Sequence, residues 1–448
     1  MPAADPQALA QLHERLLFAR AYPRSEAEAQ RADAALLKME RRVARLRRAG
    51  HDLTSLEEPE ISGIAGTGMT AVFSYGVALH LVRAHAGAVE IAWDACDSLD
   101  PFGRLLPALL PLCEEDAAVE AHVPYEEWVR AAAKSQSQIA WLLRALEKRF
   151  PDAGERAVRY DSLQLALRWE FGASTATRTL MRLPRRALYC HTGPLLGRRD
   201  VRLDEIPSLP PLPSRKLSSE CGALVLALAR DTSAVRYREL HGFSWGDPAR
   251  VLAIDAGRGV EFFYSTARPG HRLPLRGYHA LSIWKNGVPI GYFEGLSLHE
   301  RMDAGFNLYY TFRAGETAWL YARILQAMHQ LAGASCFVVD PYQIGHENDE
   351  AIDSGAFWFY RKLGFRSVDA GIGALTAREE RRIAADPAYR TPPAALRRLV
   401  REPMIYGFPG APASDWDDFR LRRLLLRLSS RRTPPLLDRA SVLRLGRA

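Results

Sequence analysis

Cysteine is scarce in this chain. Among 448 residues there are five, and no two of them have the spacing of a metal-ligand pair. They are Cys96, Cys113, Cys190, Cys221 and Cys336. An odd and scattered set supports neither a disulfide framework nor a zinc site. We therefore expect reduced, mostly buried thiols, a cytoplasmic location and no metal.

Long apolar runs are lacking as well. No run approaches the roughly 20 residues that a membrane-spanning helix needs. The first 16 residues are polar and lack the apolar core of a signal peptide. These absences predict a soluble chain with no membrane partner. Apolar residues make up 48% and charged residues 25% of the chain, which is typical of globular proteins with sizeable cores.

Lysine is also scarce in this chain. Only six of the 60 basic residues are lysines, and the others are arginines. The net charge of +8 would suit nucleic acid or an acidic ligand. However, a GC-rich coding sequence also produces a bias toward Arg and Ala. A solvated, Arg-rich surface is therefore the favoured interpretation, and nucleic acid is the less favoured partner.

A nucleotide-binding glycine motif is also lacking. Gly63, Gly66 and Gly68 suggest a phosphate loop, but Met69 and Thr70 follow them where a P-loop has Lys and then Ser or Thr. The dinucleotide-binding fingerprint fails too, because no clear strand precedes the glycines. The favoured interpretation is a flexible loop that leads into a helix.

Residues 1–204 are predicted to form a mainly helical domain without a catalytic constellation. Two amphipathic helices fill the first 50 residues, and Ser25 with Glu28 forms a capping box ahead of the second. Helical periodicity continues in later segments, for example over 161–171. One short strand is predicted at 89–93.

Two segments differ from their surroundings in composition. Residues 205–216 are rich in proline and are interpreted as a stiff linker. Residues 375–448 are rich in Arg, Pro and Leu, and they predict a helical extension with short helices at 377–385 and 417–428. Packing of its leucines on the rest of the chain is favoured over contact with nucleic acid or membrane.

Residues 217–374 predict an α+β domain. A helix precedes a series of strands, in which Asn286-Gly287 joins two apolar runs as a hairpin turn. A strand at 306–312 then leads into a helix that Gly333 ends, and a further strand leads into a second helix. This order indicates a mixed, mostly antiparallel central sheet flanked by helices.

The stretch that begins at Asp353 carries the most specific motif. Its key positions are Ala356, Phe359, Tyr360, Gly364 and Phe365. They match Asn-x-x-Ala-x-x-Leu/Phe-Tyr-x-x-x-Gly-Phe, so the stretch resembles a motif of the GNAT superfamily of N-acetyltransferases. The resemblance implies a small residue that lets the thioester arm of coenzyme A pass, and a tyrosine one helical turn away that reaches its sulfur. Asp353 stands where the family usually has Asn, and a carboxylate cannot donate the hydrogen bond that an amide donates.

The resemblance also implies a pyrophosphate-binding loop after the strand at 306–312, with the pattern Gln/Arg-x-x-Gly-x-Gly/Ala. The aligned residues are Phe312, Arg313, Ala314, Gly315, Glu316 and Thr317. Gly315 matches, whereas Phe312 and Thr317 depart from the pattern. Glu316 would place a carboxylate beside a phosphate, but a carboxylate is also favourable at a helix N-terminus for structural reasons.

The activity that the resemblance implies is transfer of an acetyl or other acyl group from acyl-CoA to an amine. Acetyl-CoA is the default co-substrate, and the acceptor is a small molecule or a peptide. Tyr360 is the expected acid for the leaving thiolate, with core packing as an equally weighted alternative. Glu294 on the hairpin and Asp340 at a strand end are candidate bases. An exposed strand glutamate and an Asx turn are the simpler explanations of these two residues.

Two other functions stay open. The departures at Phe312, Thr317 and Asp353 favour a non-catalytic module that keeps the GNAT fold and binds another ligand or a partner. The basic surface would suit an aminoacyl-tRNA-dependent transferase on the same fold, with a salt-dependent affinity for RNA. The whole chain looks like a bacterial branch of the superfamily with a helical N-terminal extension.

Overall fold

The computed structural model describes residues 5–184, 187–430 and 437–447, and it is an α+β protein. It divides into two compact units. Unit 1 comprises Met1–Cys190, Glu220–Gly246 and Gly287–Pro289, and unit 2 comprises His191–Ser219, Asp247–Asn286 and Ile290–Ala448. Residues 205–216, the predicted linker, lie within unit 2, and Ser214–Lys216 form an edge strand of its sheet. Residues 431–436 of the predicted C-terminal extension lie outside the described residues.

Unit 1 is built mostly of helices. Those before residue 190 are α1 (Pro6–Ala21), α2 (Glu26–Arg48), α3 (Tyr75–Ala84), α4 (Asp100–Leu109), α5 (Glu115–Glu120), α6 (Tyr125–Ala133), α7 (Gln138–Arg149) and α8 (Ala153–Asp161). Later helices are α9 (Ser219–Ala234) and α10 (His241–Ser244). The capping box ahead of α2 forms in part, because the Ser25 hydroxyl accepts the Glu28 N–H at 3.3 Å.

A small antiparallel sheet accompanies these helices. Its strands β1 (Gly68–Val72), β2 (Val89–Ile91) and β3 (Ala166–Glu170) lie in the order β1–β3–β2. The helix predicted at 161–171 is therefore wrong, since α8 ends at Asp161. Leu163, Ala166 and Leu167 follow helical spacing, whereas Leu165, Leu167 and Trp169 alternate as in a strand, and all are buried. A short segment that fits both periods cannot be assigned from the sequence.

Unit 2 is organised around a large sheet. Within the described residues nine strands lie in the order β11–β12–β10–β9–β8–β7–β6–β5–β4. They are β4 (Ser214–Lys216), β5 (Leu252–Gly257), β6 (Val260–Ser265), β7 (Gly277–Lys285), β8 (Val288–Leu298), β9 (Arg301–Leu308), β10 (Cys336–Val339), β11 (Arg366–Ser367) and β12 (Met404–Gly407). Every pair whose register is described is antiparallel, except the parallel pair β9–β10.

The α-helices described in unit 2 come after β9 in the chain, and several of them lie between the later strands. They are α11 (Thr317–Ala332), α12 (Pro341–Ile344), α13 (Asp349–Asp353), α14 (Ala356–Lys362), α15 (Ala370–Ala385), α16 (Pro393–Leu399), α17 (Leu421–Leu428) and α18 (Arg439–Arg447). Gly333 ends α11 in the left-handed conformation, with φ +65°, as its position in the sequence predicts. Among the described residues, no helix combines the length and the apolar character needed to cross a membrane.

At the parallel pair β9–β10, one strand extends beyond its partner. β10 pairs with β9 only at residues 301–303, whereas β9 pairs with β8 as far as Leu308. After Val339 the chain turns into α12, so no strand of the described residues pairs with the carboxyl end of β9 on that side. α11 is the next α-helix after β9 in the chain. The strand predicted at 306–312 begins earlier, at Arg301, and it is followed by a 3-10 turn at Tyr310–Phe312.

The C-terminal segment completes the sheet. β12 lies between β10 and β11, although the sequence predicted only helices after residue 375. This strand has four residues, which is too short for a pattern of alternation to stand out. α17 and α18 pack against each other. Their buried residues join a core cluster with the strands, formed by Leu298, Cys336, Val338, Ile405, Trp416, Phe419, Leu424, Val442 and Leu443.

Candidate functional site

The first part of the site is the start of α11. The N–H of Leu320 bonds to the carbonyl of Glu316 at 2.9 Å, which closes the first helical turn. The backbone N–H groups of Thr317, Ala318 and Trp319 have no hydrogen-bond partner among the described residues. Unpaired N–H groups at the start of a long helix create a positive potential that favours anions.

Glu316 does not place a free carboxylate beside these N–H groups. Its side chain is 1% exposed, and Arg258 donates to both of its carboxylate oxygens. The N–H of Leu196 donates to the same carboxylate at 3.1 Å, and the Lys285 Nζ lies 3.6 Å away. Burial alone would raise the pKa of Glu316, but these partners outweigh it and hold the pKa below its usual value. The negative charge of Glu316 is therefore neutralised inside unit 2.

Lys285 and His191 complete this buried cluster. Burial lowers the pKa of Lys285 to about 8, against the opposing attraction of Glu316. Its ammonium group also donates to the carbonyl of Arg258 at 2.6 Å. Burial, together with the charge of Lys285, lowers the pKa of His191 to about 4, so its ring is neutral at pH 7. Sequence reasoning missed this cluster, and the only available signal was a rare lysine directly before the Asn-Gly turn.

The second part of the site is the motif helix α14. Ala356 is its first residue, and Tyr360 lies one turn later. Gly355 precedes the helix with φ +70°, and Gly364 follows it with φ +103°. Positive φ values of this kind favour glycine. The break at Gly355 divides the predicted second helix into α13 and α14.

An aromatic cluster connects this helix to the first part of the site. The Tyr360 ring packs against Tyr321 of α11 with 5.5 Å between centroids, and Tyr321 packs against Phe306 of β9 at 5.3 Å. The Tyr360 side chain is 3% exposed, and its hydroxyl has no hydrogen-bond partner among the described residues. Burial raises the pKa of Tyr360 well above its usual value, which keeps the phenol protonated.

Other predicted residues of the loop and motif have different surroundings. Phe312 is fully buried, whereas Ala314 and Asp353 are exposed. Arg313 lies 4.2 Å from the centre of the Tyr310 ring, and its guanidinium pairs with Glu350. An exposed ion pair of this kind contributes about 0–1 kcal/mol, so an incoming anion can compete for Arg313.

The two candidate bases already have hydrogen-bond partners. The Asp340 carboxylate accepts the N–H of Tyr342 at 2.9 Å and caps α12, which is the Asx turn that the sequence offered as its simpler explanation. Glu294 is half-buried on β8, and the Tyr278 hydroxyl donates to it. The strand residue paired with Glu294 is Gly305, which lies beside the unpaired end of β9.

A basic groove lies in the same unit. It has a volume of about 720 Å³ and is lined by Leu195, Gly197, Arg198, Arg199, Asp200 and Lys362. Lys362 is the last residue of the motif helix, and the segment that carries Arg198 and Arg199 packs on α11. Three cations against one carboxylate make this groove suitable for an anionic ligand.

No family model, no curated protein and no solved structure matches this chain.

Proposed function

We propose that unit 2 is a GNAT-like N-acyltransferase that moves an acetyl or other acyl group from acyl-CoA to an amine. The observation that carries the proposal is the start of α11. There no described residue pairs with the N–H groups of Thr317, Ala318 and Trp319, and the helix follows the end of β9 that extends beyond its pairing with β10. A pyrophosphate is the kind of ligand that such a helix terminus binds.

The position of Glu316 removes the main objection to an anion at this loop. A free carboxylate next to a pyrophosphate would repel it, but Arg258 and Lys285 neutralise the buried Glu316. The groove with Arg198, Arg199 and Lys362 offers further cations for the phosphate groups of the same ligand. These features support acyl-CoA as the co-substrate. They outweigh the departures from the family pattern.

The reaction assigns a role to Tyr360. The amine nitrogen attacks the thioester carbonyl carbon, the carbon–sulfur bond breaks, and the leaving thiolate takes the proton of the Tyr360 hydroxyl. The phenol is suited to this role because burial keeps it protonated and its hydroxyl is not engaged by a described residue. Glu294 or Asp340 would take the proton from the amine, and Glu294 requires the smaller rearrangement because it does not cap a helix.

The decisive experiment compares two substitutions at the start of α11 that differ from each other only in charge. A Thr317→Glu substitution places a carboxylate in the first helical turn, which favours the helix but competes with a phosphate for the same N–H groups. We expect acetyl-CoA binding, measured by calorimetry, to weaken at least tenfold. Thr317→Gln is the matched control, because it has the same length without the charge and should bind within about threefold of wild type.

A second candidate function has its own observation. Phe312 is buried where the family pattern has a polar residue, so the loop lacks one phosphate contact. A binding module that has lost its cofactor would show this departure. Failure of the wild-type chain to bind any CoA thioester at millimolar concentration would contradict the transferase and favour the module. Salt-dependent binding of RNA in the same assay would instead favour an aminoacyl-tRNA-dependent transferase.

A further inference from the structure

Unit 1 contains a separate cluster in which two histidines meet one carboxylate. The Nε2 atoms of His80 and His85 lie 2.7 Å and 3.0 Å from the same oxygen, Oδ1 of Asp231. The three potential ligand atoms lie within 4.8 Å of one another. The side chains are 8%, 13% and 10% exposed, so the cluster is largely enclosed but still open to solvent.

The end of α3 explains how the two histidines converge. Residues five positions apart on a continuous helix point to different faces, because each residue turns the helix by about 100°. His85 lies just beyond the end of α3, with φ −126° and ψ 48°. Its ring centre is therefore only 6.3 Å from that of His80. Trp169 of β3 packs on the His85 ring at 4.7 Å and orients it.

Asp231 pairs with the two histidines rather than with a long basic side chain of the described residues. It lies on α9 and is buried, and neither Lys nor Arg of the described chain pairs with it. Burial of a carboxylate is costly unless a positive charge compensates it. A bound cation between the three side chains would compensate the buried carboxylate and take the two imidazole nitrogens as further ligands.

We propose that His80, His85 and Asp231 bind a divalent transition-metal ion, with Zn²⁺ as the best match. Two imidazole nitrogens and one carboxylate oxygen are a donor set that such ions prefer. Tetrahedral bonds of about 2.1 Å place the donor atoms about 3.4 Å apart, so small side-chain rotations convert the observed spacing. Three protein ligands leave a coordination position open for water or a substrate.

The competing explanation is a hydrogen-bond network without metal, in which both imidazoles donate to Asp231. The test uses the full chain after treatment with a chelator, titrated with Co²⁺ and then with Zn²⁺. We expect one Co²⁺ per chain with visible absorption bands, and loss of these bands when Zn²⁺ displaces Co²⁺. Absence of the bands, together with no Zn²⁺ retained through gel filtration, would overturn the proposal.

Matched variants locate the bound ion. Asp231→Asn keeps an oxygen that accepts from the histidines but removes the anionic ligand, so metal affinity should fall at least tenfold while a hydrogen-bond network would persist. His51→Ala is the control, because His51 is an exposed histidine outside the cluster. Equal affinity in wild type, Asp231→Asn and His85→Ala would show that the ion binds elsewhere.

A measurement on the wild-type chain covers the case in which the variants do not fold. X-ray absorption of the Zn²⁺-loaded protein reports the atoms around the ion. Scattering from two imidazoles and oxygen ligands is expected. A shell with sulfur ligands, or with oxygen ligands alone, would contradict the assignment to His80, His85 and Asp231.

Discussion

At the scale of single residues, Glu316 has the most demanding environment. Its carboxylate is fully buried and forms ion pairs with Arg258 and Lys285. Replacement by Gln leaves two cations inside unit 2 without a counter-charge, and breaking a buried ion pair in this way costs about 3–5 kcal/mol. We expect Glu316→Gln to lower the free energy of unfolding of unit 2 by several kcal/mol, as measured by urea denaturation.

The control for this prediction is a half-exposed glutamate in the same unit. Glu380 pairs with Arg361 at 2.7 Å, and its side chain is 41% exposed. Solvent screens such a pair, so Glu380→Gln should change the stability by less than about 1 kcal/mol. Equal losses of unfolding free energy in the two variants would show that burial of Glu316 does not account for its contribution to stability.

At the scale of elements, the sheet of unit 2 depends on helices from the C-terminal segment. Leu424 of α17 is fully buried in the cluster formed with β10 and β12. Leu424→Ala should lower the free energy of unfolding by about 2–5 kcal/mol, because it leaves a cavity in this core. Hydrogen exchange of the β12 amides should become faster. The neighbouring Leu425 is 47% exposed, and Leu425→Ala should leave both measurements nearly unchanged.

At the scale of the whole molecule, buried neutral histidines predict a response to acid. Burial lowers the pKa values of His13 in unit 1 and His279 in unit 2 to about 4, from an ordinary value of 6.5. Between these pH values the unfolded chain binds protons that the folded chain does not bind. Stability is therefore lost as the pH falls from about 6.5 to 4, before most carboxylates titrate.

The measurement compares urea denaturation at pH 7 and pH 5. His279 bonds to Tyr264 and Ser297, each at 2.8 Å, and a glutamine can keep polar contacts there without titrating in this range. His279→Gln should reduce the pH-dependent loss of stability by up to about 2 kcal/mol. The exposed His51 is the reference position, and a His51→Gln variant with the same reduction would contradict the role of burial.

Predictions from the sequence succeeded where the cause is local. The Asn286-Gly287 turn, the end of α11 at Gly333 and the capping hydroxyl of Ser25 depend on a few neighbouring residues. Predictions failed where distant segments decide. The segment 161–171 fits both helical and strand spacing, and pairing with β1 and β2 selects the strand. β12 forms because β10 and β11 flank it, which no local pattern indicates.

The candidate site divides in the same way. Ala356 and Tyr360 stand one turn apart on α14 because helical spacing alone puts them there. The enclosure of Glu316 could not be predicted, because Arg258 in the turn between β5 and β6 and Lys285 at the end of β7 are distant from it in the sequence. The same holds for the meeting of His80 and His85 with Asp231, which are separated by about 150 residues in the sequence.

The sequence by itself determined the α+β class, the hairpin and the helix-terminating glycines of this protein, because backbone conformation and hydrophobic spacing follow from neighbouring residues. Only the tertiary structure decided which charged and polar side chains are buried and which of them meet. Tertiary packing enclosed Glu316 with its two cations and joined two histidines to one aspartate. Electrostatic surroundings depend on distance and solvent exclusion in space, and the order of residues does not contain them.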